Sequence, residues 1–360
     1  MERALFWAER GRGRTSPNPL VGAVVVSSDG VVVGQGAHMR AGGVHAEVAA
    51  LEAAGARARG ATLYCTLEPC AHWGRTGPCV EPIAAAGVRR VVAAVIDPNP
   101  QVSGRGFAWL RERGIEVTTG VGEDRASALN APFFTWVARR RPFVIAKVAT
   151  SRDRFVGQGA SRVKLTGPEA DRHFHRQRSE IDAIAVGAGT VGVDDPELTA
   201  RGAFRERPLV RVLFDWRGRI ASTARVFSTL SAGPVIMMVT RQAVAAAPER
   251  FAALEARGVT VEASDTRDLK GALERLAAQD VVSLLVEGGP ALHAAFAEAE
   301  LIDRAQWVVT PRDLGTGVPL APLFMRLVTP PHEPSRVVHL GEDVLIEFDV
   351  HGTDRSHRPH

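Results

Sequence analysis

Four side chains in the first quarter of the chain have the types and spacing of a metal-dependent hydrolytic site. His45 and Glu47 stand in Val44-His45-Ala46-Glu47, Cys70 closes Thr66-Leu67-Glu68-Pro69-Cys70, and Cys79 closes Gly77-Pro78-Cys79. One imidazole and two thiolates give zinc three protein ligands and leave a fourth position for water, the arrangement of a catalytic zinc rather than a structural one. The metal lowers the pKa of water so that hydroxide exists near neutral pH. Glu47, two residues from His45 at a predicted helix start, is the candidate carrier of a proton from water to a leaving group. Cys79 opens another predicted helix, whose N-terminal dipole favours a thiolate. The third cysteine, Cys65, lies mid-strand and reads as a small buried hydrophobe; a fourth protein ligand would close the site. A core histidine with two buried cysteines is the plainer alternative, but it leaves the ordered pairing of His-Ala-Glu with Leu-Glu-Pro-Cys unexplained.

The elements that must position these residues alternate in type. Glu2–Arg10 reads as a short helix. Val21–Val26 and Val31–Val33 read as strands around a Ser-Asp-Gly turn. His45–Ala54 is Ala-rich and helical, with Gly55 as its stop. Ala61–Cys65, Val91–Ile96 and Ile115–Thr118 read as strands, and Phe107–Arg113 as a helix. A layered α/β domain is implied. The segment Ala128–Pro142 passes through aromatics into Arg139–Arg141 and a proline, and the domain boundary is placed there, giving domains 1–142 and 143–360. Strands recur at Phe143–Ala149, Ile181–Val186, Val210–Phe214, Val235–Val239, Val259–Glu262, Val281–Val286, Trp307–Val309 and Val344–Val350. Leu269–Ala278 and Ala291–Ala299 are helical, so the second domain is also α/β.

Composition excludes several function classes. With 45% hydrophobic and 23% charged residues, the 360-residue chain is ordinary globular material with enough length for two cores. The start carries no signal-peptide h-region and no run approaches a transmembrane span, so no membrane partner is expected. Three cysteines argue for a reducing, cytoplasmic setting rather than a disulfide framework. A formal charge of +4 suits a phosphorylated substrate, and the Arg139–Arg141 run reads as a solvated face. That charge does not by itself indicate a nucleic-acid partner.

The pattern H-x-E followed by P-C-x-x-C belongs to zinc deaminases acting on nucleobase-like rings; here eight residues, not two, separate the cysteines. That insert, Pro69-Cys70-Ala71-His72-Trp73-Gly74-Arg75-Thr76-Gly77-Pro78-Cys79, resembles the deaminase half of the bifunctional riboflavin-biosynthesis deaminase–reductases. Thr15-Ser16-Pro17-Asn18-Pro19 with Val21-Gly22, Gly36-Ala37-His38, and Asp97-Pro98-Asn99-Pro100 with Val102, Gly104 and Gly106 are similar to the same family. The resemblance implies a cytidine-deaminase-like first domain. It would remove the 2-amino group of 2,5-diamino-6-(ribosylamino)pyrimidin-4-one 5′-phosphate, with Asn18, His38, His72, Arg75 and Thr76 as substrate contacts. Asn18 can donate and accept at a base edge, although alone between two prolines it would pass for a turn residue. Arg75 suits a phosphate.

Downstream, Lys147-Val148-Ala149-Thr150-Ser151, Gly187-Ala188-Gly189-Thr190-Val191 with Asp194-Asp195-Pro196, Leu198-Thr199 and Arg201, and Glu287-Gly288-Gly289-Pro290 resemble the reductase half, whose fold is like dihydrofolate reductase. Glycines at a helix start let backbone N–H groups approach a cofactor phosphate, and no early G-x-G-x-x-G suggests a Rossmann site. The resemblance implies NADPH as cofactor and reduction of the ribosyl side chain to ribityl. Lys147 becomes the catalytic residue. Ser161, Arg178, Leu198, Arg201 and Glu287 fall on the substrate side, and Ala149, Thr190, Asp194 and Gly289 on the cofactor side. It also implies a homo-oligomer through the reductase domain. Alone, Asp194-Asp195-Pro196 would read as a solvated turn and Arg178 as an exposed helix charge.

The chain departs from the family most in this half. Arg152 and Arg154 stand in Ser151-Arg152-Asp153-Arg154-Phe155 where the family reads Ser-Leu-Asp-Gly-Lys, and Ser161-Arg162-Val163-Lys164-Leu165-Thr166 replaces Ser-x-Trp-Ile-Thr. Asp171 replaces an arginine and Trp216 a small hydroxyl residue. Several of these are expected to flank the substrate and nicotinamide pocket. The alternative they leave open is a zinc deaminase of a related pyrimidine or nucleobase with a degenerate or redirected reductase-like domain.

Overall fold

A computed structural model of the chain describes residues 1–73, 77–100, 102–159, 163–202 and 205–351. Two compact units meet in sequence between Arg141 and Pro142. The first has a five-stranded sheet of β1 (Gly22–Val26), β2 (Val32–Ala37), β3 (Thr62–Cys65), β4 (Arg90–Ala93) and β5 (Glu116–Thr118), in the order β2-β1-β3-β4-β5. β1 runs antiparallel to β2 and β3; β3, β4 and β5 are parallel. Alternation along the strands sends Ala23, Val25, Leu63, Cys65, Val91 and Ala93 into one core with Ala46, Ala50 and Leu51. The helices are α1 (Glu2–Glu9), α2 (Ala46–Ala54), α3 (Val80–Ala85), α4 (Arg105–Arg111), α5 (Glu123–Leu129) and α6 (Ala131–Arg139).

Two glycines of β2 let α2 lie unusually close to the sheet. A Cβ at Gly34 would come within 2.1 Å of the Ala50 carbonyl, and one at Gly36 within 2.7 Å of that of Ala46. This contact fixes the N-terminus of α2, where His45 stands. The aromatic run before the boundary is a helix: α6 buries Phe133 and ends at Arg140 in the left-handed region. Asn130, at the α5–α6 junction, accepts from the Leu20 N–H and donates to the Leu20 carbonyl, pinning the segment that follows Asn18.

The second unit has a nine-stranded sheet in the order β11-β10-β9-β8-β12-β6-β13-β16-β15. Its strands are β6 (Phe143–Thr150), β8 (Ala183–Gly187), β9 (Val210–Phe214), β10 (Val235–Thr240), β11 (Val259–Ser264), β12 (Ser283–Val286), β13 (Arg304–Val309), β15 (Arg336–Leu340) and β16 (Asp343–Asp349). The strands from β11 to β13 are parallel; β16 and β15 complete the sheet antiparallel. A separate ribbon pairs β7 (Phe155–Gly157) with β14 (Val318–Pro319). The helices are α7 (Pro168–Glu180), α8 (Ala188–Asp194), α9 (Arg241–Ala246), α10 (Pro248–Ala256), α11 (Leu269–Ala277), α12 (Pro290–Glu298) and α13 (Pro322–Leu327).

Among the elements of this unit outside the sequence expectation, α7 and β15 are so for physical reasons. α7 buries only Ala170, Phe174 and Ser179 among charged neighbours, so its apolar stripe is too sparse to show. β15 is an edge strand with little burial and no alternation.

Candidate active sites

In the first unit, three chain segments converge on the metal-binding triad. His45 is the N-cap of α2, in extended conformation, and Glu47 lies in that helix's first turn. Cys79 is the N-cap of α3. Cys70 follows β3 and is held beside Cys79: its carbonyl accepts from the Val80 N–H, and its sulfur accepts from the Cys79 N–H at 3.3 Å. His45 Nδ1 lies 3.0 Å from Cys79 Sγ and 3.6 Å from Cys70 Sγ, and the three ligand atoms all fall within 4.8 Å of one another. The Cys79 hydrogen bond draws the Cys70 thiol down to about 4, while the same contact pushes Cys79 up. One half-buried imidazole and two sulfurs at this spacing fit zinc. Cys65 is no part of this group: it is buried in β3 and its thiol is pushed up by desolvation.

Glu47 is buried, and desolvation first and the Cys70 thiolate second raise its carboxyl to about 7. His38 is buried edge-on to His45, with ring centroids 5.3 Å apart, and bonds Asn18. His72 is half-buried with its Nδ1 unpartnered among the described residues. Arg75 and Thr76 lie outside the described residues.

Glu68 has a role the sequence reading did not assign. Its buried carboxylate accepts from the N–H groups of Asp97, Gly104, Gly106 and Phe107. This ties the Asp97–Gly106 segment to the residue two before Cys70. Glu68 lies three residues past the end of β3, inside the Leu-Glu-Pro-Cys motif.

The second unit contains a cavity of about 710 Å³ lined from many chain segments, among them β6, α7, α8 and the start of α12. Lys147, on β6, places its ammonium 4.4 Å from the centre of the Phe174 ring, and desolvation pulls it below the usual lysine range. Arg178 of α7 forms a two-pronged ion pair with Glu287, Nε to Oε1 at 3.0 Å and Nη2 to Oε2 at 2.5 Å. Burial alone would raise the Glu287 carboxyl; Arg178 and then Lys147 outweigh it and hold it below its ordinary value. Thr190 accepts from the Gly289 N–H at 2.9 Å, joining the two glycine-containing turns, so that amide is already engaged. Ala149, Asp194, Leu198 and Arg201 also line the cavity, and the Arg201 N–H donates to His175 Nδ1. Ser161 lies outside the described residues.

The departures sort into two groups. Asp171 does line the cavity, paired with Lys164 at 2.8 Å and accepting from Thr166. Trp216, Arg152 and Arg154 do not, among its described lining residues. Trp216 packs on Phe214 in the hydrophobic core, and Arg152 reaches the exposed Asp313. Arg154 adopts φ +68°, the left-handed conformation that suits the glycine of the family pattern. His293, which the sequence reading passed over, also lines the cavity from α12. Its Nε2 donates to the Val286 carbonyl at 3.2 Å, and desolvation lowers its pKa to about 4.

Comparison with known proteins covers both units. Residues 1–95 match the cytidine and deoxycytidylate deaminase zinc-binding region, and residues 142–345 match the RibD C-terminal domain. The riboflavin biosynthesis protein RibD of Aquifex aeolicus is 39% identical over 351 residues, 97% of each chain. The chain belongs to the RibD family of bifunctional riboflavin-biosynthesis deaminase–reductases. RibD of Escherichia coli is 36% identical over 97% of this chain and 98% of its own. Two solved structures agree across 97% of both chains with a TM-score of 0.84. They are form 1 of RibD from Acinetobacter baumannii, 34% identical, and a diaminohydroxyphosphoribosylaminopyrimidine deaminase/5-amino-6-(5-phosphoribosylamino)uracil reductase from Thermotoga maritima, 33% identical. The first domain is therefore a zinc-binding deaminase domain carrying His45, Cys70 and Cys79, and the second a dihydrofolate-reductase-like domain.

Proposed function

We propose that residues 1–142 deaminate 2,5-diamino-6-(ribosylamino)pyrimidin-4-one 5′-phosphate and that residues 143–360 then reduce the ribosyl side chain with NADPH. The observation that carries the first step is the His45, Cys70 and Cys79 triad with a buried carboxylate, Glu47, on the same helical turn. Bound zinc supplies the acidity that makes water nucleophilic near neutral pH. Glu47 takes a proton from that water as its oxygen bonds to the ring carbon, and delivers it to the amino nitrogen as the C–N bond breaks and ammonia leaves. Its raised carboxyl suits both halves of that transfer. Asn18, His38 and His72 form the polar surroundings for the ring, and Arg75 and Thr76 complete the substrate contacts.

For the reduction, Lys147 presents an ammonium to the cavity and protonates or polarises the reacting sugar. Glu287, Arg178, Leu198 and Ser161 shape the substrate side, and Arg201 holds the 5′-phosphate. Ala149, Thr190, Asp194 and Gly289 form the cofactor side. The glycine-containing turns leave space there: a Cβ at Gly289 would approach Thr190 Oγ1 to 3.3 Å, and one at Gly288 would approach Leu292 to 2.6 Å. NADPH supplies the reducing equivalents. A homo-oligomer through the second domain is supported by the open edge at β15, where Val337 is exposed. A cytoplasmic setting is supported by three unpaired cysteines. Among the described residues no helix is long and apolar enough to cross a membrane.

The test is Glu47→Gln. The variant is expected to keep stoichiometric zinc and lose deamination by roughly 10²- to 10⁴-fold. Full activity with zinc bound would remove Glu47 from the proton path.

A further inference from the structure

We propose that Arg211 of β9 is a positioning residue for the reduction: its buried guanidinium holds the backbone of the Asp195–Leu198 turn, which forms one wall of the cavity in the second unit. The inference rests on the reductase reading above and goes beyond it by giving a role to a side chain that is not among the cavity's described lining residues.

Arg211 is 0% exposed, and no carboxylate pairs with it among the described residues. A charge taken out of water is costly unless other groups meet its donors. Here neutral oxygens meet them. Nη1 donates to Thr229 Oγ1 at 2.7 Å, to the Val226 carbonyl at 3.2 Å and to the Glu197 carbonyl at 3.3 Å. Nη2 donates to the Thr229 carbonyl at 2.9 Å and to the Gly233 carbonyl. All but one of these acceptors belong to the main chain. The guanidinium therefore fixes the path of two backbones, the β9–β10 connection and the segment at Glu197. The Glu197 carboxylate goes instead to Arg225.

The Glu197 segment needs such an anchor. Asp195 and Leu198 adopt φ +41° and +57°, left-handed backbone that their side chains disfavour. The turn pairs with no strand of the sheet, so side chains must hold it. The Asp195 Oδ1 accepts from the Arg225 N–H at 2.8 Å, and Arg225 opens the same β9–β10 connection that Arg211 grips from inside. Strained backbone held by its surroundings concentrates where a precise shape is used. Here Asp195, Pro196, Glu197 and Leu198 all line the cavity. Asp194 precedes the turn and Arg201 follows it, so a shift of the turn displaces the cofactor side and the substrate side together. A lysine cannot replace Arg211: its single ammonium lacks the planar fork that spans acceptors on two segments.

The experiment uses the full chain loaded with zinc. NADPH oxidation with the deaminated intermediate is measured for wild type, Arg211→Lys and Thr229→Val, at a temperature where circular dichroism shows each to be folded. Deamination is the control, and hydrogen exchange is followed in peptides covering residues 191–200. Arg211→Lys is expected to lose about 10²-fold in kcat/KM for reduction, the effect of a small misplacement in a reacting site, with deamination unchanged. Exchange in residues 191–200 is expected to rise while β6 and β12 keep their protection. Thr229→Val removes one acceptor and keeps the guanidinium. It is expected to show the same two changes on a smaller scale, and it decides the question if Arg211→Lys does not fold. Folded variants with wild-type kcat/KM, or exchange that rises evenly over the whole second unit, would overturn the proposal. A wild-type protein that never oxidises NADPH with the intermediate would instead overturn the underlying reductase reading, and the exchange pattern would still decide whether Arg211 holds the turn.

Discussion

The zinc centre and the reductase cavity solve the same problem, keeping charged groups out of bulk water, in opposite ways. At the zinc centre, two sulfurs and an imidazole lie together with the buried Glu47 carboxylate beside them. The geometry anticipates an external dication. In the cavity the protein balances its own charges: Arg178 with Glu287, Lys164 with Asp171, and Lys147 over an aromatic face. A centre built around a metal is compact and its ligand spacing is rigid. The reductase cavity is built from paired side chains carried by several elements, among them β6, α7, α8 and the start of α12. Asp171, where the family resemblance leads to an expected arginine, pairs with Lys164.

That contrast yields expected outcomes of decreasing size. Lys147→Met removes the one ammonium that reaches the reductase cavity from β6. Reduction is expected to fall roughly 10²- to 10⁴-fold with deamination unchanged, read by separate assays of the two steps. A parallel loss of deamination would deny that the two centres are separable.

Arg178→Met strands Glu287 as a buried charge, which costs about 3 kcal/mol, and is expected to lower the melting temperature of the second unit. The double variant Arg178→Met/Glu287→Gln is expected to regain most of that loss. Equal destabilisation in single and double variants would mean that the pair is not the balancing device.

His293 gives a pH dependence whose sign is set by its lowered pKa. Between about pH 6.5 and pH 4 the unfolded chain binds a proton that the folded chain refuses. Stability contributed by the neutral ring is therefore full above pH 6.5 and falls as pH drops toward 4, by roughly 3 kcal/mol in all. Denaturation midpoints across that range are expected to show the fall in wild type and to flatten in His293→Leu. The smallest effect is expected at Arg154→Gly, which relieves a left-handed arginine and should stabilise by about 0.5–1 kcal/mol in a denaturant titration.

The same contrast explains what could be read from the residues alone. The triad was legible because its ligands sit in two short motifs whose spacing metal chemistry constrains; His45, Cys70 and Cys79 needed no tertiary knowledge. Strands with continuous apolar runs, such as β10, were legible for a similar reason. The helix before Pro142 was not legible in the sequence, because a nine-residue helix with one buried phenylalanine looks like an irregular aromatic run. The cavity was legible only through family resemblance. α7, which carries Asp171, Phe174 and Arg178, has no clear apolar face, and His293 is one histidine in an alanine-rich helix. Its role depends on Val286 and Phe324, which approach it only in the folded chain. Arg154 lies two residues before Val156, which lines the cavity, yet neither it nor Trp216 is among the cavity's described lining residues.

The central claim is that one chain performs the two steps in order, deamination first. The direct measurement is NADPH oxidation by the zinc-loaded full chain supplied with the diamino substrate, alongside Glu47→Gln. Wild type is expected to oxidise NADPH after a lag in which ammonia appears. Glu47→Gln is expected to oxidise none until the deaminated intermediate is added, and then at the wild-type rate. NADPH oxidation by Glu47→Gln on the diamino substrate, or ammonia release by wild type with no NADPH oxidation at all, would contradict the account.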